Sequence, residues 1–202
     1  MASWTEPDEA ALVERLKARD EKAFNELVRG LQRRVFGLLF RMLGNRTEAE
    51  DITQEVFVHV FKSIDQFRGE SRISSWVMRI ATNLCKNRYI HDQRHHSKEH
   101  EDITETADRV PMASAKGTTA GSIAQPDELA MGFQMERIIQ QAIAAMDADQ
   151  REILILRDIE DMSHEEISEI IGIPIATVKS RILRARQRLR EIVERRTGER
   201  LK

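Results

Sequence analysis

Between residues 175 and 202 the chain carries ten Lys or Arg against three Glu, about +7 in a protein whose net charge is −2. The preceding 174 residues must therefore carry about −9. At 100° per residue, Thr177, Ser180, Leu183, Arg184 and Gln187 share one side of a helix, with Lys179, Arg181, Arg188 and Arg190 along its flanks. Ile175, Val178, Ile182, Ala185, Leu189 and Ile192 fall on the opposite side and form the stripe that such a helix would bury. Flanking cations suit phosphates, and central hydroxyl, guanidinium and apolar groups suit base edges in a major groove. A solvated Arg-rich helix would carry the same charge. What favours DNA binding is the unit before it: Ser163 with Glu166 makes a capping box, Ile167, Ile170 and Ile171 give an apolar face, and Gly172 with Pro174 stops the helix. A second helix is expected to start near Ile175. Two short helices joined this way read as a helix-turn-helix.

A second group of interest lies between Phe67 and Tyr89. Phe67, Trp76 and Tyr89 alternate with Arg68, Arg72, Arg79, Lys86 and Arg88, next to the glycine-containing stretch Arg68-Gly69-Glu70-Ser71. Aromatic and basic side chains in this mixture can hold unstacked bases of a single strand, although Trp76 is in register with Val77, Ile80 and Leu84 and fits a core equally well. A third group is acidic. Glu48, Asp51, Gln54 and Glu55 share one helix side opposite Ile52, Val56, Val60 and Ile64, and form either a solvated face or a docking face for a basic or polar partner.

Other chemistry is not expected. His91, His95, His96 and His100 have i, i+4 spacing but sit in a stretch too polar to fix a ligand geometry, so no metal site is assigned. No cofactor or small-molecule substrate is implied, and no nucleophile–base pair or phosphate-cradling loop points to an enzyme. Cys85 is the one cysteine, which excludes an internal disulfide and suits a reducing compartment. No secretory leader pattern opens the chain and no apolar run could span a bilayer, so membrane insertion is not expected.

The elements that position these groups are all helical. Residues 8–19 and 21–43 read as two amphipathic helices, the second ending at Gly44-Asn45. Thr47, with Glu50 three residues on, is expected to cap a third. A fourth is expected from Ser71 to about Tyr89. From 91 to 127 the periodicity stops, and few large apolar residues remain; this composition predicts a flexible linker. Helices over 128–146 and 149–159 then complete a second unit with the helix-turn-helix. The expectation is an all-α chain of two small domains, 1–90 and 128–202, joined by 91–127.

The order of the parts resembles the extracytoplasmic-function class of bacterial sigma factors within the sigma-70 family. The segments carrying the resemblance are TEAEDITQEVFVHVFKSIDQFRGE, SSWVMRIATNLCKNR and DADQREILILRDIEDMSHEEISEIIGIPIATVKSRILRARQRLRE. The resemblance implies a cytoplasmic protein that binds core RNA polymerase through the β′ clamp helices and the β flap. Asp51, Gln54 and Glu55 would dock on the clamp helices. Phe67, Arg68, Gly69, Ser71, Arg72, Trp76, Arg79, Asn83, Lys86 and Asn87 would recognise and help melt the −10 element. Thr177, Lys179, Ser180, Leu183, Arg184 and Arg188 would read the −35 element. Promoter elements about two helical turns apart lie roughly 70 Å from one another, and about 36 extended residues reach roughly 120 Å, so the linker is long enough. The resemblance also implies control by an anti-sigma factor. The competing reading is a stand-alone helix-turn-helix repressor or activator, which would bind duplex DNA without polymerase.

Overall fold

A computed structural model describes residues 5–96 and 138–198, and no strand occurs among them. Four helices form the first domain: α1 (Glu6–Lys17), α2 (Glu21–Leu43), α3 (Arg46–Ser63) and α4 (Ile73–His96). In the second, residues 138–144 are the described part of α5, followed by α6 (Ala148–Leu154), a wide π turn (Ile155–Ile159), α7 (His164–Ile171) and α8 (Ile175–Thr197).

The local signals explain most boundaries. Asp20 caps α2, its carboxylate accepting from the Lys22 N–H at 2.7 Å, and Gly44 ends it in the left-handed conformation. That reversal leaves Asn45 extended, at φ −116° and ψ 124°, with its side-chain oxygen accepting from the Glu48 N–H at 3.2 Å. Asn45 rather than Thr47 is therefore the cap of α3, because the chain leaves Gly44 already pointing into the first turn. Helix α4 begins at Ile73, two residues later than the sequence suggested, and continues to His96. His91, His95 and His96 thus lie on helical backbone, whereas His100 and the run from 97 to 137 lie outside the described residues.

Leu27, Leu31, Val35 and Leu38 of α2 are fully buried, as are Ile52, Val56 and Val60 of α3 and Ile73, Val77 and Ala81 of α4. Each of the Leu, Ile and Val side chains contributes roughly 1.5–3 kcal/mol by leaving water. In the second domain Val178, Ile182 and Ala185 of α8 are buried with Ile167 and Ile170 of α7, as their spacing predicts. Ile175 departs from that stripe and remains 39% exposed; it is the first residue of α8, where no preceding turn covers it.

Ile153, Leu154, Ile155 and Leu156 are buried in succession, more than one face of a helix allows. The cause is that α6 packs on α8 on one side and on α2 of the first domain on another. The two domains consequently share one connected apolar core. Polar contacts frame the junction. The Arg151 guanidinium donates to Met42 O, and to Ala144 O and Met146 O at 2.7 and 2.8 Å.

Candidate nucleic-acid interface

Helix α8 is aimed by the turn before it. Ser163 Oγ accepts from the Glu166 N–H at 3.1 Å while Glu166 Oε2 accepts from the Ser163 N–H at 2.9 Å, which closes the capping box of α7. Gly172 sits at φ 75°, a conformation that costs a β-carbon-bearing residue about 1 kcal/mol. Its N–H donates to Ser168 O at 2.9 Å, and Thr177 and Val178 then donate to Pro174 O at 2.8 and 3.0 Å, starting α8.

With the stripe of Val178, Ile182 and Ala185 turned inward, the opposite strip is open. Lys179, Ser180 and Arg184 are exposed, Thr177 and Arg188 are half-buried, and Leu183 is 69% exposed, the most open large apolar residue among those described. Exposure of a leucine between cations suits contact with a thymine methyl. Arg186 differs from its neighbours. It points back to Asp158 with contacts of 2.5 and 3.0 Å, and this carboxylate holds its guanidinium above the ordinary value.

On α3, Asp51, Gln54 and Glu55 are exposed along one side. Val58, four residues after Gln54 and 52% exposed, extends this face with an apolar spot. Sequence periodicity gave no reason to single it out, since valine in a helix is usually counted toward the core.

The aromatic and basic group between Phe67 and Tyr89 is divided by the fold. Phe67 and Trp76 are buried, at 5% and 8% exposure, with ring centroids 5.4 Å apart. They support the Arg68–Arg72 loop from beneath rather than stand free on its surface. Gly69 takes φ 74° at the loop's tip. Arg68, Arg72, Asn83 and Asn87 are exposed, and Ser71, Arg79 and Lys86 half-buried. A cleft of about 380 Å³ opens beside the loop, lined by Phe67, Arg68, Ser71, Trp76 and Arg79 together with Glu169 of α7. A second, of about 430 Å³, lies on the loop's other side against α1.

Glu169 is not alone. Lys86 Nζ stands 2.9 Å from Glu152 Oε2, whose side chain is 2% exposed. Ser75 Oγ donates to Glu166 Oε1 at 2.6 Å. Burial pushes the Glu152 carboxyl above the usual carboxylate range, with Lys86 opposing. Burial also acts to raise Glu166, but the Ser75 hydroxyl, the Ser163 backbone and side chain and the Arg72 charge outweigh it and hold that carboxyl low. These second-domain carboxylates against the first domain's basic face were invisible to sequence reasoning, because their partners lie some 66 to 91 positions away.

Among the described residues no helix is long and apolar enough to cross a membrane, and no group of His, Cys, Asp or Glu is assembled to hold a metal ion.

Comparison with known proteins matches residues 27–95 to Sigma-70 region 2 and residues 136–189 to Sigma-70, region 4. The chain is 36% identical over 184 residues to the ECF RNA polymerase sigma-E factor of Haemophilus influenzae, covering 91% of this chain and 94% of that one. It is 33% identical over 176 residues to the ECF RNA polymerase sigma-E factor of Escherichia coli K12, covering 87% and 89%. It is 32% identical over 183 residues to the RNA polymerase sigma-H factor of Pseudomonas aeruginosa, covering 91% and 92%. Two solved structures share the fold. The sigma factor RpoE of Bartonella quintana, in complex with the anti-sigma factor NepR, aligns with a TM-score of 0.67 at 23% identity, covering 86% of this chain and 98% of that one. CnrH, in complex with the cytosolic domain of CnrY, aligns at 0.63 and 19% identity, covering 92% and 97%.

Proposed function

The chain belongs to the sigma-70 family, in its extracytoplasmic-function class, and from this we infer that it binds core RNA polymerase and directs it to promoters. The observation that carries the reading is the presence, on one chain and in family order, of an exposed acidic face on α3, a basic loop-and-helix face on α4 and an outward basic strip on a helix-turn-helix.

Each face has a role that its chemistry fits. Asp51, Gln54 and Glu55, with Val58 beside them, form a polar and acidic surface for the β′ clamp helices. Thr177, Lys179, Ser180, Leu183, Arg184 and Arg188 read the −35 duplex, the cations meeting phosphate and the centre of the strip meeting base edges. Arg68, Ser71, Arg72, Arg79, Asn83, Lys86 and Asn87 hold the −10 strand, with the cleft beside the loop receiving an unstacked base. Phe67, Gly69 and Trp76 shape that cleft. On this division the first domain docks and melts, the second reads the duplex, and the segment between 91 and 127 joins them. Duplex reading positions the enzyme, and strand capture drives opening. The place of action is the bacterial cytoplasm, where the polymerase is, and an anti-sigma factor is the expected regulator.

Run-off transcription with bacterial core polymerase on a library of promoter fragments tests this. The expected result is new start sites with shared −10 and −35 sequences, lost in Asp51→Ala and Arg184→Ala. Unchanged core activity, together with tight duplex binding by the protein alone, would support the repressor or activator reading instead.

A further inference from the structure

Helix α1 turns Leu12, Val13 and Leu16 inward, all of them buried. Glu9 stands three, four and seven positions before them and so lies on the same side of the helix. A carboxylate half-buried on an apolar stripe needs a partner to offset its lost water. Its partner is the main-chain N–H of Ile73, 64 positions away, which donates to Glu9 Oε1. Ile73 opens α4 and is fully buried, and its N–H is one of those that a helix start leaves without an intrahelical acceptor. The preceding residue, Arg72, cannot cap the helix, because a guanidinium only donates. Glu9 is therefore a cap lent by another helix, and a carboxylate at a helix N-terminus is further favoured by the dipole.

The consequence lies in the loop between the two pins. The Phe67 N–H donates to Ile64 O at 3.0 Å. Among the described residues, no main-chain N–H from Arg68 to Arg72 then donates a hydrogen bond, and the next one held is that of Ile73. The ion pair inside the loop, Arg68–Glu70, is 3.9 Å long with both side chains about four-fifths exposed, and such a pair holds little. Elsewhere α1 and the loop face each other across the cleft of about 430 Å³. We propose that Glu9 is a positioning residue for −10 recognition: by pinning the Ile73 N–H it fixes where the Arg68–Arg72 loop joins α4, and hence how the loop meets the strand. A loop held in place beforehand spares the cost of ordering it on binding. The proposal rests on the −10 assignment made above. It gives a role to a helix that lies before the residues matched to Sigma-70 region 2, 27–95.

Two measurements on the full chain test it, comparing wild type, Glu9→Ala and Glu9→Gln, with circular dichroism as the check on folding. The first is amide hydrogen exchange of the free protein, followed by NMR. The Ile73 N–H is expected to exchange about tenfold faster in Glu9→Ala, with Val77 and Ala81 unchanged. In Glu9→Gln it should stay near the wild-type rate, because the side-chain oxygen still accepts. The second is initiation with core polymerase on a promoter fragment recovered from the run-off library and on single-base variants of its −10 and −35 elements. Glu9→Ala is expected to lower the preference for the native −10 base about tenfold, and Glu9→Gln to restore it, with −35 preference unchanged throughout. Unchanged exchange at Ile73 in Glu9→Ala, or an unchanged −10 preference, overturns the proposal. Equal loss at both elements also overturns it, since that marks general damage to the fold. The double variant R68A/R72A separates the proposal from the reading beneath it. Retained −10 preference in both R68A/R72A and Glu9→Ala sinks the −10 assignment itself, whereas loss in R68A/R72A alone sinks only the role of Glu9.

Discussion

Arg34 of α2 grips Glu160 twice, its Nε 3.0 Å from the carboxylate and its Nη2 3.2 Å from the main-chain carbonyl of the same residue. The Glu160 side chain is 7% exposed and that of Arg34 33%. The pair joins the first domain to the end of the π turn, 126 positions away. Arg34→Ala leaves a carboxylate in a dry site without its cation, a change that costs about 3 kcal/mol. The expected outcome in urea unfolding is a lower midpoint for the whole protein, with a shallower slope if the two domains then melt separately. A midpoint equal to wild type would show that the junction rests on the apolar core alone.

Arg184 and Arg186, two residues apart, should behave differently. Arg184 is exposed on the open strip, while Arg186 is bound to Asp158. Arg184→Ala is expected to weaken the preference for the native −35 base by about 1–3 kcal/mol with thermal stability unchanged. Arg186→Ala is expected to lower the melting temperature slightly, by an exposed ion pair's worth of less than about 1 kcal/mol, and to leave base preference intact. Start-site usage on −35 point variants, measured beside thermal melts, checks both. The same effect from both substitutions would mean that α8 contributes only general positive charge.

Much of this arrangement could be read from residue order. Ser163, Glu166, Gly172 and Pro174 each solve a local problem of helix ends, so the turn before α8 was legible from four residues. Val178, Ile182, Ala185 and Ile192 of the inward stripe of α8 followed from period alone, whereas Ile175 at the helix start stays exposed and Leu189 is half-buried. Asn45 was missed because Thr47 and Glu50 offer an equally good capping pattern, and only the left-handed Gly44 decides between them. Phe67 and Trp76 left their roles open, since an aromatic near arginines fits a core or a base stack. Tertiary context places them under the loop. Glu152 carries no sequence signal whatever: a glutamate in an amphipathic helix is counted as surface, and here it is 1% exposed with its carboxylate 2.9 Å from Lys86 of the other domain.

Cys85 should be inert. It is 3% exposed, and burial, with Glu152 and Glu48 adding negative charge, pushes its thiol from 9.0 up to about 12. The thiolate is the reactive form, so the native protein at pH 8 is expected to resist a disulfide reagent on a timescale at which the unfolded chain reacts fully. The linkage has a definite sign. A raised value in the folded state means that folded protein keeps a proton that the unfolded chain loses, so this contribution to stability is whole below 9.0 and is lost as pH rises toward about 12. Rapid labelling at pH 8 would instead report frequent opening around α4.

The eight-residue helix α7 (His164–Ile171) is far shorter than a helix that holds alone in water, so its ends matter. Ser163→Ala removes the acceptor for the Glu166 N–H and is expected to cost about 1 kcal/mol. At Gly172 an added β-carbon would meet nothing within 4 Å, so Gly172→Ala tests the backbone alone. Its φ of 75° sets the cost at about 1 kcal/mol without any clash. Each substitution should lower the melting temperature by roughly 2–4 °C in a protein of this size. Their effects should add if the two caps act independently. The functional readout differs from that of Arg184→Ala: tilting α8 weakens binding to all −35 sequences alike, whereas losing a base contact relaxes the choice among them. Relaxed base preference in Gly172→Ala would show that the turn sets the helix's depth in the groove, not merely its stability.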